Sequence, residues 1–152
     1  MKMSITSIAA VLLGLANAGM AAAPAPGAVN VLNPNTAKVE EMGTLPQMNA
    51  QIAQTVVAGR PYANTAALNA LLTKSLNDTQ RAEVNTRLFV PINLNTATRE
   101  EILLIPGMSN RMVREFLEYR PYSSIEQFRR EIGKYVDAKE VARLESYVTL
   151  RQ

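Results

Sequence analysis

The side chains with the most evident chemistry are Asn110, Arg111 and Arg114, which follow a tight turn at Pro106–Ser109. This spacing places them in the first turns of a predicted helix, where unpaired backbone N–H groups and the positive end of the helix dipole also lie. Such a position favours a phosphate group. The residues that follow this turn therefore predict an anion-binding surface.

The same arginines have an alternative use as partners of nearby carboxylates. Arg111 and Glu115, and likewise Arg114 and Glu118, are four residues apart and would pair along a solvated helix face. Farther along the chain lies a second basic cluster: Arg129, Arg130 and Lys134. The sequence leaves open whether these cations are paired or available to a ligand.

The composition excludes most catalytic chemistry. The 152 residues include no Cys, His or Trp, which excludes thiol nucleophiles, disulfides, histidine acid–base chemistry and the usual zinc sites. The carboxylates stand at helix starts and on solvated helix faces. We therefore predict a protein that is not an enzyme and that uses no cofactor or metal. A net charge of +3 does not by itself identify a nucleic-acid binder.

Residues 1–23 have the pattern of a secretory signal peptide. Lys2 precedes an apolar run over Ile8–Leu15, and the small residues at 16–18 and 21–23 offer cleavage sites, so the mature chain is expected to start between residues 19 and 25. An uncleaved membrane anchor is the less favoured alternative, because the segment is rich in Ala and Gly. We expect a secreted or periplasmic protein in which residues 24–30 form a linker.

After residue 30 the chain repeats itself with a period of 60 residues. Identical residues at matching positions include Asn33/Asn93, Asn35/Asn95, Glu41/Glu101, Pro46/Pro106, Met48/Met108 and Tyr62/Tyr122. We assign residues 31–91 to unit one and residues 92–152 to unit two. Because about sixty residues make a marginal core, we expect the two units to bury a shared face.

Each unit is predicted to contain four short helices, so the fold class is all-α. Pairs that suit capping boxes stand at four predicted helix starts: Thr98 with Glu101, Ser123 with Glu126, Asp137 with Glu140, and Asn77 with Gln80. Apolar stripes at helical spacing predict the core: Met112, Val113, Phe116 and Leu117, and Ile52, Ala53, Val56 and Val57. Short β-favouring segments predict extended arms at the unit ends, with 92–94 beside 147–150 and 31–33 beside 88–90.

The tripeptide Arg-Pro-Tyr ends the second predicted helix of each unit, at Arg60–Tyr62 and Arg120–Tyr122. We interpret it structurally: proline stops the helix, arginine offsets the helix dipole, and tyrosine packs over the turn with a partly solvated hydroxyl. Asn95 and Thr96 are predicted to bond to the neighbouring backbone at a helix start.

Unit two resembles the helix-hairpin-helix domain of the ComEA competence proteins. The resemblance rests on five segments: Ile92–Ala97 (INLNTA), Glu100–Glu101 (EE), Ile105–Met108 (IPGM), Tyr119–Tyr122 (YRPY) and Tyr147–Thr149 (YVT). It covers essentially all of unit two, and unit one is a fainter copy. The resemblance implies two tandem helix-hairpin-helix units, on an exported or membrane-anchored protein that binds double-stranded DNA for uptake, without sequence specificity.

The resemblance also implies a role for the hairpin, whose glycines let the backbone turn and let a DNA phosphate approach the next helix. In unit two the first glycine is Gly107 and the second is replaced by Ser109, whereas unit one has Gln47 and Asn49. Serine and asparagine start a helix well but place a side chain near the phosphate position. The candidate DNA phosphate-binding residues are therefore Gly107, Met108, Ser109, Asn110, Arg111 and Arg114.

The replaced glycines keep a second function open. The chain would then be a protein-interaction or structural module on the same scaffold that has lost DNA binding. Its partner would be another exported or membrane protein. The sequence leaves the oligomeric state open.

Overall fold

The computed structural model describes residues 25–151, which are mostly helical. The all-α class predicted from the sequence is confirmed at this level, since the strands described are two residues long each. The predicted signal peptide lies outside the described residues. Between residues 25 and 151, no helix has both the length and the apolar character needed to cross a membrane.

The described part of the chain forms eight helices and two short strands. Unit one contains α1 (Val39–Gly43), α2 (Ala50–Ala58), α3 (Thr65–Leu72) and α4 (Asp78–Asn85). Unit two contains β1 (Ile92–Asn93), α5 (Arg99–Leu103), α6 (Asn110–Glu118), α7 (Ile125–Ile132), α8 (Ala138–Glu145) and β2 (Val148–Thr149). Two loops concern the site: the α1–α2 turn (residues 44–49) and the α5–α6 turn (residues 104–109).

Helix starts lie where the predicted caps place them in three of the four cases. Thr98 accepts from the Glu101 N–H at 3.2 Å, and the Glu101 carboxylate accepts from the Thr98 N–H at 2.9 Å. Asn77 and Gln80 form the same reciprocal pair at 2.9 and 3.0 Å. Asp137 caps α8 through its carboxylate. Each cap satisfies backbone donors that the first helical turn leaves unpaired.

The predicted pair of Ser123 with Glu126 is wrong by one residue. Ser124 caps α7 by accepting from the Gln127 N–H at 3.1 Å, and the Gln127 side chain accepts from the Ser123 N–H at 2.9 Å. Gln127 therefore bonds to two successive serines, and no reciprocal capping box forms at this helix start. The matching residue of unit one, Asn64, likewise caps α3.

The predicted arms are confirmed at both unit ends. β1 pairs in parallel with β2, with Ile92 opposite Val148 and Asn93 opposite Thr149. In unit one a single parallel bridge joins Leu32 and Leu88. These pairings bring the first and last segments of each unit together, so each unit closes on itself.

Each unit has a hydrophobic core of its own. Most members of the predicted stripes are buried: Ala53, Val56, Met112, Val113 and Phe116. The others are partly buried and pack against the same cores: Ile52, Val57 and Leu117. The periodic pattern therefore identified the faces that α2 and α6 turn inward.

The expected shared face is a localised contact centred on Phe89 and Tyr147. Phe89 is fully buried and belongs to the core of unit two. Its ring meets the Tyr147 ring edge-on, with centroids 5.2 Å apart. The Tyr147 hydroxyl also donates to the Thr86 carbonyl at 2.8 Å. A residue at the end of unit one thus completes the core of unit two.

The start of the described chain packs on α8. The Ala28 N–H donates to the Ala25 carbonyl at 2.9 Å, which closes a turn with Gly27 at φ +95°. Gly27 lies against the Lys139 backbone, and the Val29 N–H donates to the Ser146 hydroxyl at 3.1 Å. Residues 25–29, within the region predicted as a linker, are therefore held on unit two.

Candidate functional site

The α5–α6 turn has the backbone geometry that its Pro-Gly pair predicts. Gly107 adopts φ +75°, a left-handed conformation that glycine reaches without steric cost. The Met108 N–H donates to the Ile105 carbonyl at 3.0 Å, and Ser109 then caps α6 by accepting from the Met112 N–H at 3.1 Å. Ser109, at the position where the resemblance implies a glycine, thus provides a normal helix start.

A group of backbone donors at this turn has no acceptor among residues 25–151. It comprises the N–H groups of Gly107, Ser109, Asn110 and Arg111. All four residues are exposed. Converging N–H groups at the positive end of a nine-residue helix provide hydrogen bonds and a favourable potential for an oxyanion.

Arg111 and Arg114 are exposed beside these donors. The pairs that the alternative interpretation expected, with Glu115 and Glu118, do not form, and neither arginine has an ion-pair partner in the described part of the chain. The Arg111 guanidinium lies 5.9 Å from the centre of the Tyr135 ring. Both arginines therefore offer their charge to solvent or to a ligand.

Asn110 and Met108 contribute differently from what the sequence suggested. The Asn110 side chain accepts from the Arg99 guanidinium at 2.8 Å. Met108 is half-buried and packs its side chain against the unit-two core. Met108 therefore offers an anion neither its side chain nor its N–H, which already donates to Ile105. Arg99 adds a third positive charge that the sequence did not single out.

The second basic cluster is neutralised by carboxylates. Arg129 pairs with Glu145 at 2.6 Å, and Arg130 pairs with Glu131 at 3.0 Å. Lys134 also pairs with Glu131. The hydrogen bond from Lys134 holds the pKa of the Glu131 carboxyl below its usual range. Arg129, Arg130 and Lys134 are thus paired with carboxylates on a solvated surface, whereas Arg111 and Arg114 are unpaired.

One further side chain, Arg143, reaches the α5–α6 turn from α8. Arg143 donates to the Pro106 carbonyl at 2.7 Å, and the Glu140 carboxylate holds its guanidinium through two further bonds of 2.7 Å. Hydrogen bonding to Glu140 raises the pKa of Arg143. The contact joins residues 37 positions apart, so no local pattern could reveal it.

The α1–α2 turn has the same backbone with different side chains. Gln47 stands where unit two has Gly107 and adopts φ +65°. Its amide donates to the Glu83 carboxylate at 3.0 Å and accepts from the Gln80 amide at 3.2 Å. Asn49 caps α2 as Ser109 caps α6. An anion approaching this turn would meet a side chain and a carboxylate.

No family model, no curated protein and no solved structure matches this chain. The functional argument therefore rests on the geometry of the α5–α6 turn.

Proposed function

We propose that this chain is an exported, non-catalytic protein that binds double-stranded DNA through its phosphate backbone, without reading the bases, in the course of DNA uptake. Its scaffold would be two tandem helix-hairpin-helix units, with the α5–α6 turn as the working hairpin. The observation that carries the proposal is the set of unpaired N–H groups at Gly107 and Ser109–Arg111, flanked by two unpaired arginines.

This arrangement suits a phosphate for electrostatic and geometric reasons. Gly107 has no side chain, so a phosphate oxygen can approach the backbone closely. Backbone donors fix the position of the anion, while Arg111 and Arg114 add charge within reach of neighbouring phosphates. Backbone and phosphate contacts of this kind carry no base information, so the proposed binding is independent of sequence.

The architecture of the chain supports the same proposal. In each unit, two short helices joined by a tight turn are followed by a second such pair, and the repeat gives both units the same backbone at the first turn. From the side-chain differences we propose that unit two binds DNA and that unit one serves as scaffold. Nothing in this mechanism requires a bond to be made or broken.

The proposal is tested by duplex binding at several salt concentrations. Each neutralised phosphate contributes a slope of about −0.9 to the dependence of log K on log salt, so about three contacts weaken binding roughly 40-fold between about 50 and 200 mM. Two unrelated duplex sequences should give the same curve. Absence of binding even at the low-salt end would overturn the proposal.

The same assay locates the site by charge reversal. The double variant Arg111→Glu/Arg114→Glu should weaken binding by at least about tenfold, because two cations become like charges facing phosphate. The matched control is Lys74→Glu/Arg87→Glu, which changes net charge equally at exposed residues of unit one. Arg81 is unsuitable as a control, since it bonds to Asp78 and to the Leu76 carbonyl. Equal loss in both variants would point to long-range charge alone.

The alternative function, docking on another exported or membrane protein, is favoured by the closed α1–α2 turn. Gln47, Gln80 and Glu83 form a hydrogen-bonded cluster there that offers no anion site. A pull-down from the exported fraction, repeated with nuclease, separates the two functions. Partners that survive nuclease treatment support docking, and partners that nuclease removes support DNA binding.

A further inference from the structure

The two repeats differ in a pair of side chains at the same place in the fold. In unit two, Gly107 on the turn faces Arg143 of α8. In unit one, the matching residues are Gln47 on the turn and Glu83 of α4, which are hydrogen-bonded to each other. The backbones match, since both turn residues have positive φ, at +75° and +65°. The difference between the turns is therefore one of side-chain volume and charge.

Arg143 has hydrogen-bonding capacity left beside Gly107. An arginine side chain has five N–H donors. Two of them bind the Glu140 carboxylate and one binds the Pro106 carbonyl. The Nη2 atom lies 3.4 Å from the position that a Cβ on Gly107 would occupy. The remaining donors are therefore next to the space through which a phosphate would approach the turn.

The surroundings of Arg143 fix its guanidinium in this place. Its side chain is 23% exposed, and the guanidinium lies 5.9 Å from the centre of the Tyr147 ring. Both oxygens of the Glu140 carboxylate accept from the guanidinium, and this bidentate pairing fixes the orientation of its plane. Such a donor is already ordered before a ligand arrives, so binding costs it little side-chain entropy.

We infer that Arg143 together with Gly107 determines which repeat binds the anion. Arg143 would hold the turn through Pro106 and donate to the same phosphate that the backbone N–H groups receive. In unit one, Glu83 repels that phosphate and Gln47 fills its place, so each chain engages DNA at one turn. This inference rests on the proposed DNA binding and adds the residue that selects the site.

The test uses Arg143→Met, which keeps an unbranched side chain of similar length and removes the charge, in the full exported chain. Affinity for a short duplex should fall about tenfold, the scale of one charge-assisted hydrogen bond. The slope of log K against log salt should become shallower by about 0.9, as expected for one lost phosphate contact. Lys74→Met, which removes one positive charge at an exposed residue of unit one, is the control and should leave the slope unchanged.

A purely structural role for Arg143 gives a different result. The variant would then melt at a lower temperature while its salt slope stayed that of the parent, and this outcome would overturn the inference. If Arg143→Met binds as tightly as the parent, the inference fails while the proposed function stands. If the parent itself does not bind, the proposed function fails and the inference fails with it.

The reverse exchange tests the part of the inference that concerns unit one, namely that Gln47 and Glu83 keep an anion away from the α1–α2 turn. Gln47→Gly/Gln80→Glu/Glu83→Arg reproduces the residues of unit two at the α1–α2 turn, since Glu at position 80 matches Glu140 and also suits the capping box. Placed in the Arg143→Met background, the triple change should raise duplex affinity above that of Arg143→Met alone. No gain, in a protein that folds normally by circular dichroism, would overturn the claim that Gln47 and Glu83 close this turn.

Discussion

Asn95 and Tyr122 bind each other through two hydrogen bonds. The Asn95 Oδ1 atom accepts from the Tyr122 N–H at 2.7 Å, and the Asn95 Nδ2 group donates to the Tyr122 carbonyl at 2.9 Å. Asn35 and Tyr62 are joined in the same way, at 2.7 and 2.9 Å. The asparagine thus connects the segment before α5 with the segment after α6, at the end of this helix pair opposite the α5–α6 turn.

We call these two hydrogen bonds the Asn95–Tyr122 clamp, and their loss should make Asn95→Ala a destabilising change. The substitution removes both bonds and leaves the Tyr122 N–H and carbonyl without partners, at a cost of about 1–3 kcal/mol of unfolding free energy. Thr96→Ala, at an exposed neighbour whose side chain makes no hydrogen bond with the described residues, should change the stability by less than about 0.5 kcal/mol. Urea unfolding of the two variants measures the difference. Equal stabilities would show that the clamp contributes nothing net.

The clamp also shows what the sequence could and could not predict. Asn95 was expected to bond locally, because asparagine at a helix start usually does. Its partner is instead 27 residues away, and the same separation joins Asn35 to Tyr62. Local patterns predicted the helices and the capping of α6 by Ser109, since each depends on neighbours a few residues apart, and the β-favouring residues at the unit ends predicted the arms.

Contacts between distant segments explain the remaining differences. The Arg120 guanidinium donates to the Leu94 and Ala97 carbonyls, at 2.5 and 2.7 Å, so it serves the segment before α5 and not its own helix end. Arg143 reaches Pro106 in a similar way. The Ser124 cap could have been found from the repeat, because its matching residue Asn64 can cap a helix, whereas Ala63, which matches Ser123, cannot.

Replacing tyrosine by phenylalanine should affect stability differently at positions 62 and 122. The Tyr62 hydroxyl donates to the Val56 carbonyl at 2.7 Å, whereas the buried Tyr122 hydroxyl has no partner among residues 25–151. The expected partly solvated hydroxyl is therefore wrong for both tyrosines, which are 6% and 3% exposed. Tyr62→Phe should cost about 1 kcal/mol, and Tyr122→Phe should be neutral or stabilising. Thermal unfolding of the pair is the measurement, and a larger loss in Tyr122→Phe would contradict this account.

Alkaline pH should destabilise the protein because the phenols of Tyr122 and Tyr147 are buried. Burial raises the pKa of Tyr122 and of Tyr147 above the ordinary value, because a phenolate loses hydration in the interior. The folded state therefore keeps these protons at a pH where the unfolded chain releases them. Stability is fully present below about pH 10 and falls as pH rises further. Urea unfolding from about pH 8 to about pH 11, a range around the ordinary tyrosine pKa, should show the unfolding free energy decreasing. In Tyr122→Phe this decrease should be less steep.

Phe89 and Tyr147 predict that the two units unfold together. Phe89→Ala leaves a cavity in the core of unit two although the residue lies at the end of unit one, and should cost about 3–5 kcal/mol. Tyr147→Phe keeps the ring contact and loses only the bond to Thr86, at a cost of about 1 kcal/mol. Calorimetry should show one transition for the parent and a broadened or split one for Phe89→Ala. A single sharp transition in that variant would mean that other contacts couple the units.

Exchanging the turn residues of the two repeats separates backbone strain from ligand binding. Gln47 occupies a left-handed conformation that costs a residue with a Cβ about 1–2 kcal/mol, and its bonds to Glu83 and Gln80 are exposed. Gln47→Gly should therefore stabilise the chain by up to about 1 kcal/mol.

Gly107→Gln should destabilise the chain by a similar amount and also weaken duplex binding, because the new side chain occupies the approach to the unpaired N–H groups. Gly107→Ala introduces the same backbone strain with little bulk, since the nearest atom to a Cβ there is 3.4 Å away. If Gly107→Ala and Gly107→Gln lose stability equally but Gly107→Gln loses more DNA affinity, the turn contacts the ligand directly. Equal affinities in all three proteins would instead exclude the α5–α6 turn as the binding site.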